Sequence, residues 1–177
     1  MARSTYKVLN THYPYFITSS IVDWLPIFAF PEIANIILKS LCFMQTDREV
    51  ILYSYVILEN HLHMIVQSTE LQKNVRAFKS YTAREIINSM LASKNTFYLS
   101  KLRKLKLKNH RDSEYQVWQE GYHPKQISDE KSMKQKMEYI HNNPVKRGYV
   151  SHPCHWRYSS ASNYLEGSGL IPVTTNW

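Results

Sequence analysis

Two runs rich in β-branched and aromatic residues, Val50 to Leu58 and His61 to Gln67, are separated only by Glu59 and Asn60. Two residues suffice to fold one strand back on the next, so the pair is expected to form a β-hairpin, although Glu-Asn is a weaker turn signal than Asn-Gly. Tyr15 to Val22 has the same residue types and is expected to be an earlier strand. Between them Pro31-Glu32 opens a helix, since proline suits the first turn and an acid suits the dipole there. Ile33, Ile36, Ile37, Leu41 and Met44 follow helical spacing along it. Leu71 to Leu91 is the next helix, with Val75, Phe78, Thr82, Ile86 and Met90 on one side. Strand-helix-strand-strand-helix is most of the split βαβ pattern. The expected fold is therefore α+β, a ferredoxin-like sandwich whose antiparallel sheet carries its helices on one face.

A further helix is expected from Glu130 to Asn142, with Met133, Met137 and Ile140 on its apolar stripe. Asn142-Asn143-Pro144 should end it, because proline disfavours helical geometry in the residue before it. Gly148 then lies in a turn, and the chain from Ser151 onward is polar and aromatic without a clear period. The 177 residues suit one domain, covering 1–177 with a C-terminal tail from about residue 151. A chain of this length buries roughly 70% of its unfolded surface and needs no covalent staple. The two cysteines, Cys42 and Cys154, offer neither a disulfide framework nor a four-cysteine zinc site. No 18-residue apolar stretch and no apolar signal core between Met1 and Tyr15 is present, so no membrane partner is expected. The expected location is cytoplasmic, and in a prokaryote beside the nucleoid.

With 22 basic and 14 acidic residues, the formal charge is +8, and the first partner to consider is nucleic acid. Thirteen tyrosines and four tryptophans suit unpaired bases, which stack on aromatic faces, though tyrosines also pack half-buried sheets. Lys73, Arg76 and Arg84 fall opposite the apolar side of the second helix. Lys101, Arg103, Lys104, Lys106, Lys108 and Arg111 form a run without an acid, in which leucine alternates with lysine, so a strand or a loose arm is as consistent with it as a helix. Both groups read as phosphate contacts or as solvated surface. Only four glycines are present and there is neither GxxxxGK[ST] nor GxGxxG, which disfavours the nucleotide-cradling folds.

His61 and His63 are one residue apart on a strand. Their imidazoles therefore share a face, with Cα atoms roughly 6.5–7 Å apart, close enough to chelate one metal ion. A third ligand must come from elsewhere. Tyr139 and Asn143, four residues apart, share a helix face if the helix persists to its last turn, and would offer a hydroxyl nucleophile and an amide oxygen. Spacing alone does not single them out. His141 points about 200° away from Tyr139 and is not assigned to the metal. His152, Cys154 and His155 have zinc-like side chains but are read as structural. Trp118, Tyr122 and His123 are open to stacking on bases or, for Trp118, to burial in the core.

The segment Tyr55-Val56-Ile57-Leu58-Glu59-Asn60-His61-Leu62-His63-Met64-Ile65-Val66 resembles the His-hydrophobic-His signature of the single-tyrosine HUH transposases. Trp118-Gln119, then Tyr139-Ile140-His141-Asn142-Asn143-Pro144-Val145-Lys146-Arg147-Gly148, then Trp156-Arg157-Tyr158-Ser159-Ser160 follow in the same order. The combination resembles the REP-associated tyrosine transposase branch over roughly Tyr15 to Tyr164. The resemblance implies a metal-dependent single-strand DNA endonuclease and strand transferase on a ferredoxin-like fold, acting on hairpin or repeat DNA. By position, His61 and His63 would bind a divalent magnesium or manganese ion, Asn143 would be the third ligand, and Tyr139 the nucleophile that becomes a 5′-phosphotyrosine. A homodimer and a monomer are both compatible with it. Two rivals remain: a nucleic-acid-binding module on the same fold that does not cut, and a metal-dependent nuclease in which water attacks.

Overall fold

The computed structural model describes residues 10–107 and 113–177. Its elements in chain order are β1 (Tyr15–Ser20), α1 (Pro31–Asp47), β2 (Ile51–Ile57), β3 (His61–Gln67), α2 (Leu71–Ala92), α3 (Thr96–Lys104), β4 (Lys125–Gln126), α4 (Glu130–Lys146) and α5 (Ala161–Leu165). The hairpin forms as the sequence indicates: Leu58 N donates to His61 O at 2.9 Å and Ile57 stands opposite Leu62, leaving Glu59 and Asn60 to make the turn. The sheet order is β2-β3-β1-β4, with every pair antiparallel. That is the ferredoxin-like order. Its fourth strand is only Lys125–Gln126, set against Phe16 and Tyr15, too short to carry a period that a sequence can display.

Strand side chains alternate between faces, and here both faces are apolar. Tyr15, Ile17, Leu62, Met64 and Val66 point to one side and pack with α1, α2 and α3. Phe16, Val56 and Ile65 point to the other, where Met133, Met137 and Ile140 of α4 cover them. The expectation of helices on one face therefore holds for α1, α2 and α3, and α4 corrects it. An apolar sheet face left in water would forfeit about 1.5–3 kcal/mol for each large side chain, so both sides demand a cover.

The end of α4 is a second correction. The helix begins where Asp129 accepts the Ser132 amide at 2.8 Å, but it does not stop before Pro144. It runs through the proline to Lys146, with Arg147 N bonded to Asn143 O at 3.1 Å. Pro144 removes only the donor that would have reached the carbonyl of Ile140. Asn143 and Pro144 are both buried, so packing at that turn outweighs the local preference.

The leucine–lysine run begins as helix. Thr96–Lys104 is capped by Asn95, and Leu99 and Leu102 are buried. Lys108 and Arg111 lie outside the described residues. The aperiodic tail straps the edge strand β2. Ile57 N donates to Tyr158 O, Ser160 N to Tyr55 O and Thr174 N to Leu52 O, while Trp156 Nε1 donates to Ile57 O at 2.9 Å. Unpaired edge groups are thereby covered. Among the described residues no helix is long and apolar enough to cross a membrane.

Candidate active site

β3 presents His61 and His63 on the α4 side of the sheet, with Leu62 between them turned into the opposite core. Their ring centroids are 4.7 Å apart. Each Nδ1 is already engaged. Asn60 Oδ1 accepts from His61 Nδ1 at 2.6 Å, and His63 Nδ1 hydrogen-bonds Thr18 Oγ1 at 2.8 Å. Thr18 stands directly across the β1–β3 ladder from His63. An amide oxygen can only accept, so His61 carries its proton on Nδ1 and keeps the Nε2 lone pair. The same tautomer suits His63, with the threonine hydroxyl as acceptor. Partners of this kind orient imidazole ligands in metal sites.

Electrostatics keep the pair neutral. Burial, and then the nearby Arg147 charge, lower His61 to about 4 against an opposing pull from Glu59. Burial, His61 and Arg147 lower His63 to about 3. Near pH 7 no proton competes for either lone pair. Among the described residues no third His, Cys, Asp or Glu joins them. Asn143, on α4, offers an amide oxygen. Its Oδ1 accepts Arg147 Nε at 3.2 Å, and an amide oxygen has a second lone pair. Two neutral nitrogens and an oxygen are a fitting set for a divalent ion of the manganese or magnesium kind, manganese being favoured on affinity.

Because α4 continues through Pro144, Tyr139 and Asn143 stay on one helical face. The Tyr139 ring meets the His63 ring edge-on, centroids 5.3 Å apart, while the residue keeps 42% exposure. It is thus anchored by its ring and open at its side to solvent. Phe16 stacks on His63 at 5.4 Å and meets Tyr139 at 5.9 Å. Lys136 Nζ lies 5.4 Å from the Phe16 ring. Arg147 pairs with Glu59 at 2.9 Å, and the second Glu59 oxygen is buried without a partner among the described residues. Lys136, Tyr139, Asn143 and Arg147 recur at three- and four-residue steps, and so form one stripe on α4.

Not every residue proposed from sequence gathers here. Lys73, Arg76 and Arg84 are on α2, and Lys101, Arg103 and Lys104 on α3, helices that cover the other face of the sheet. The sheet stands between them and the histidine pair. Lys73 is paired with Glu70, Arg84 contacts Glu85, Arg103 pairs with Glu114, and Lys106 donates to Ser113 O. Trp118 is buried, its Nε1 donating to Thr82 Oγ1 at 3.1 Å. His141 is buried between Ser54 and Ser160, with Nε2 3.1 and 2.9 Å from their hydroxyls. The His152 and His155 rings meet at a tilt, centroids 5.6 Å apart, with no metal-binding cluster of His, Cys, Asp or Glu among the described residues. Sequence reasoning missed Thr18, Asn60 and Lys136 as site residues. Lys136 had a readable signal, three positions before Tyr139 on the same helix. Thr18 had none, because its place depends on the register between β1 and β3.

A histidine pair on a central strand, faced by a tyrosine from the helix across it, is the arrangement expected of a single-tyrosine HUH site on a ferredoxin-like sheet. Comparison with known proteins adds two likenesses. A curated protein of Haemophilus influenzae named "Putative REP-associated tyrosine transposase" is 30% identical over 104 residues, 59% of this chain and 54% of the relative. The match thus spans about half the length of that relative. A solved structure described as a REP-associated tyrosine transposase bound to a REP hairpin superposes with a TM-score of 0.63. It is 20% identical and covers 100% of this chain and 91% of its own, a likeness of fold. Both agree with the branch indicated by the motifs. No protein-family model matches the chain.

Proposed function

We propose that this chain is a metal-dependent single-strand DNA endonuclease and strand transferase acting on hairpin or repeat DNA, with Tyr139 as nucleophile. The observation that carries the reading is the contact of the solvent-open Tyr139 ring with the buried His63, which joins two distant parts of the sequence. The tyrosine oxygen attacks the scissile phosphorus, the bond from phosphorus to the 3′ oxygen breaks, and a 5′-phosphotyrosine forms. The phenolic proton ends on the released 3′-OH. The linkage retains the phosphodiester energy, so a later 3′-OH reverses the step and rejoins strands without ATP. His61, His63 and Asn143 would hold a divalent magnesium or manganese ion, which when bound withdraws charge from the phosphate and orients it for in-line attack. Asn60 and Thr18 fix the two rings. Lys136 and Arg147, on the α4 stripe, supply positive charge beside the phosphate, where it counts most in a partly dry site.

The test is a covalent trap. Single-stranded hairpins from a randomised library are incubated with the protein and Mn²⁺ or Mg²⁺, denatured, and resolved for a DNA-shifted band. The expected adduct requires metal, His61 and Tyr139, and is lost in His61→Ala and Tyr139→Phe. Cleavage that survives Tyr139→Phe without an adduct would identify water as the nucleophile. Hairpin binding without metal uptake or adduct would identify a binding module.

A further inference from the structure

Trp24 lies outside every motif that the resemblance draws on, yet it borders the histidine pair. Its indole is 53% exposed and meets the His61 ring edge-on, centroids 5.6 Å apart. An exposed indole beside the proposed metal ligands presents a flat π-face on which an unpaired base can stack.

The backbone beneath it is held in a costly shape. Asp23 and Trp24 both adopt left-handed geometry, with φ of 53° and 54°. For a bulky residue this is unusual and persists only where the surroundings enforce it. They do so here. Val22 N donates to Val117 O, Ile21 N to Asn60 O and Phe28 N to Glu59 O, while Val22, Ile27 and Phe28 are buried anchors on either side. Asn60 completes the hold, since its Nδ2 donates to Trp24 O at 3.2 Å while its Oδ1 takes the proton of His61 Nδ1. One side chain therefore fixes the indole-bearing turn and the proposed metal ligand relative to each other.

We propose that Trp24 is a stacking platform for an unpaired nucleobase next to the scissile phosphate. The inference rests on the single-strand DNA reading above and adds a base-binding subsite to it. A base is the occupant that the surroundings select. The cations beside the site, Lys136 on α4 and Arg147 at its C-terminal cap, draw the phosphate there. Asp23, the residue before Trp24 in the same turn, adds a negative charge to this side of the site, which disfavours a phosphate there and leaves the aromatic face to an uncharged ring. A stacked base is sequence-tolerant, since every base has a π-face. The rigid turn spares the ordering cost that a mobile side chain would add on binding.

The test measures binding without cleavage, in EDTA, by anisotropy of a fluorescein-labelled DNA hairpin with a single-stranded thymidine flank. A series of probes carries an abasic site at successive flank positions. Trp24→Ala is expected to weaken the intact probe by roughly 5- to 150-fold, and Trp24→Phe by less. At one flank position the abasic site should cost the unsubstituted protein the same factor and cost Trp24→Ala nothing further. Thermal melting of each variant separates lost stacking from lost folding, and Trp24→Phe retains a ring if the alanine variant melts early. Equal abasic losses in both proteins at every position would overturn the platform while leaving the DNA reading standing. Failure of the unsubstituted protein to bind any hairpin would overturn the DNA reading and the platform with it.

Discussion

His141 connects α4, β2 and the tail, and its protonation should make that junction acid-labile. Its ring is buried between the hydroxyls of Ser54 and Ser160, and burial alone lowers its pKa from 6.5 to about 4. The unfolded chain, with an ordinary histidine, takes up a proton first as the pH falls. The stabilisation is therefore complete above the unfolded value and is lost as the pH drops towards the folded one. With those two values the loss is about 2 kcal/mol at about pH 5 and negligible at about pH 7.5. His141→Gln keeps an amide that can bond both hydroxyls and does not titrate. Urea unfolding followed by tryptophan fluorescence, in EDTA, gives both stabilities across the range. His61 and His63 titrate in both proteins, so their contribution cancels in the difference. The glutamine variant should start less stable at neutral pH and close the gap by about 2 kcal/mol on going to about pH 5. A gap that stays constant with pH would refute the reasoning, because His141 would then titrate alike in the folded and unfolded chains.

Ser160→Ala should cost about 1–3 kcal/mol in the same unfolding experiment, because Ser160 Oγ accepts the buried Tyr55 amide at 3.0 Å as well as bonding His141. A loss within error would mean that water replaces the hydroxyl. Arg147→Gln should raise the pKa values of His61 and His63, since the guanidinium charge lowers both; NMR titration of their ring protons in the metal-free protein reads this, and unchanged midpoints would place Arg147 too far away to act. Lys136→Ala should reduce the salt dependence of single-strand binding by about 0.7 in log K per log salt. Combined Lys73, Arg76 and Arg84 to Ala should leave that slope unchanged, as those side chains belong to the other helical layer; a fall of the same size would show that DNA wraps round the sheet.

The hairpin, α1, α2 and the shared face of His61 and His63 were legible because each is written in a local period or a two-residue turn. The family motifs added Tyr139, which period alone does not distinguish from the other tyrosines. Three features were not legible. β4 is too short to show alternation. The path of α4 through Pro144 runs against the local preference, and burial of Asn143 and Pro144 decides it. The second helix-covered face emerges only when Phe16, Val56 and Ile65, from three separate strands, are brought side by side. The sequence by itself determined, through strand alternation, that two imidazoles point the same way, and through its motifs which side chains are the candidates for the chemistry. Tertiary structure alone decided that Thr18 orients the His63 ring, that Tyr139 meets His63, and that the basic residues of α2 and α3 lie behind the sheet. The first set depends on spacing within one element, whereas the second depends on register and layer order between elements, and these are set by burial of both sheet faces at once.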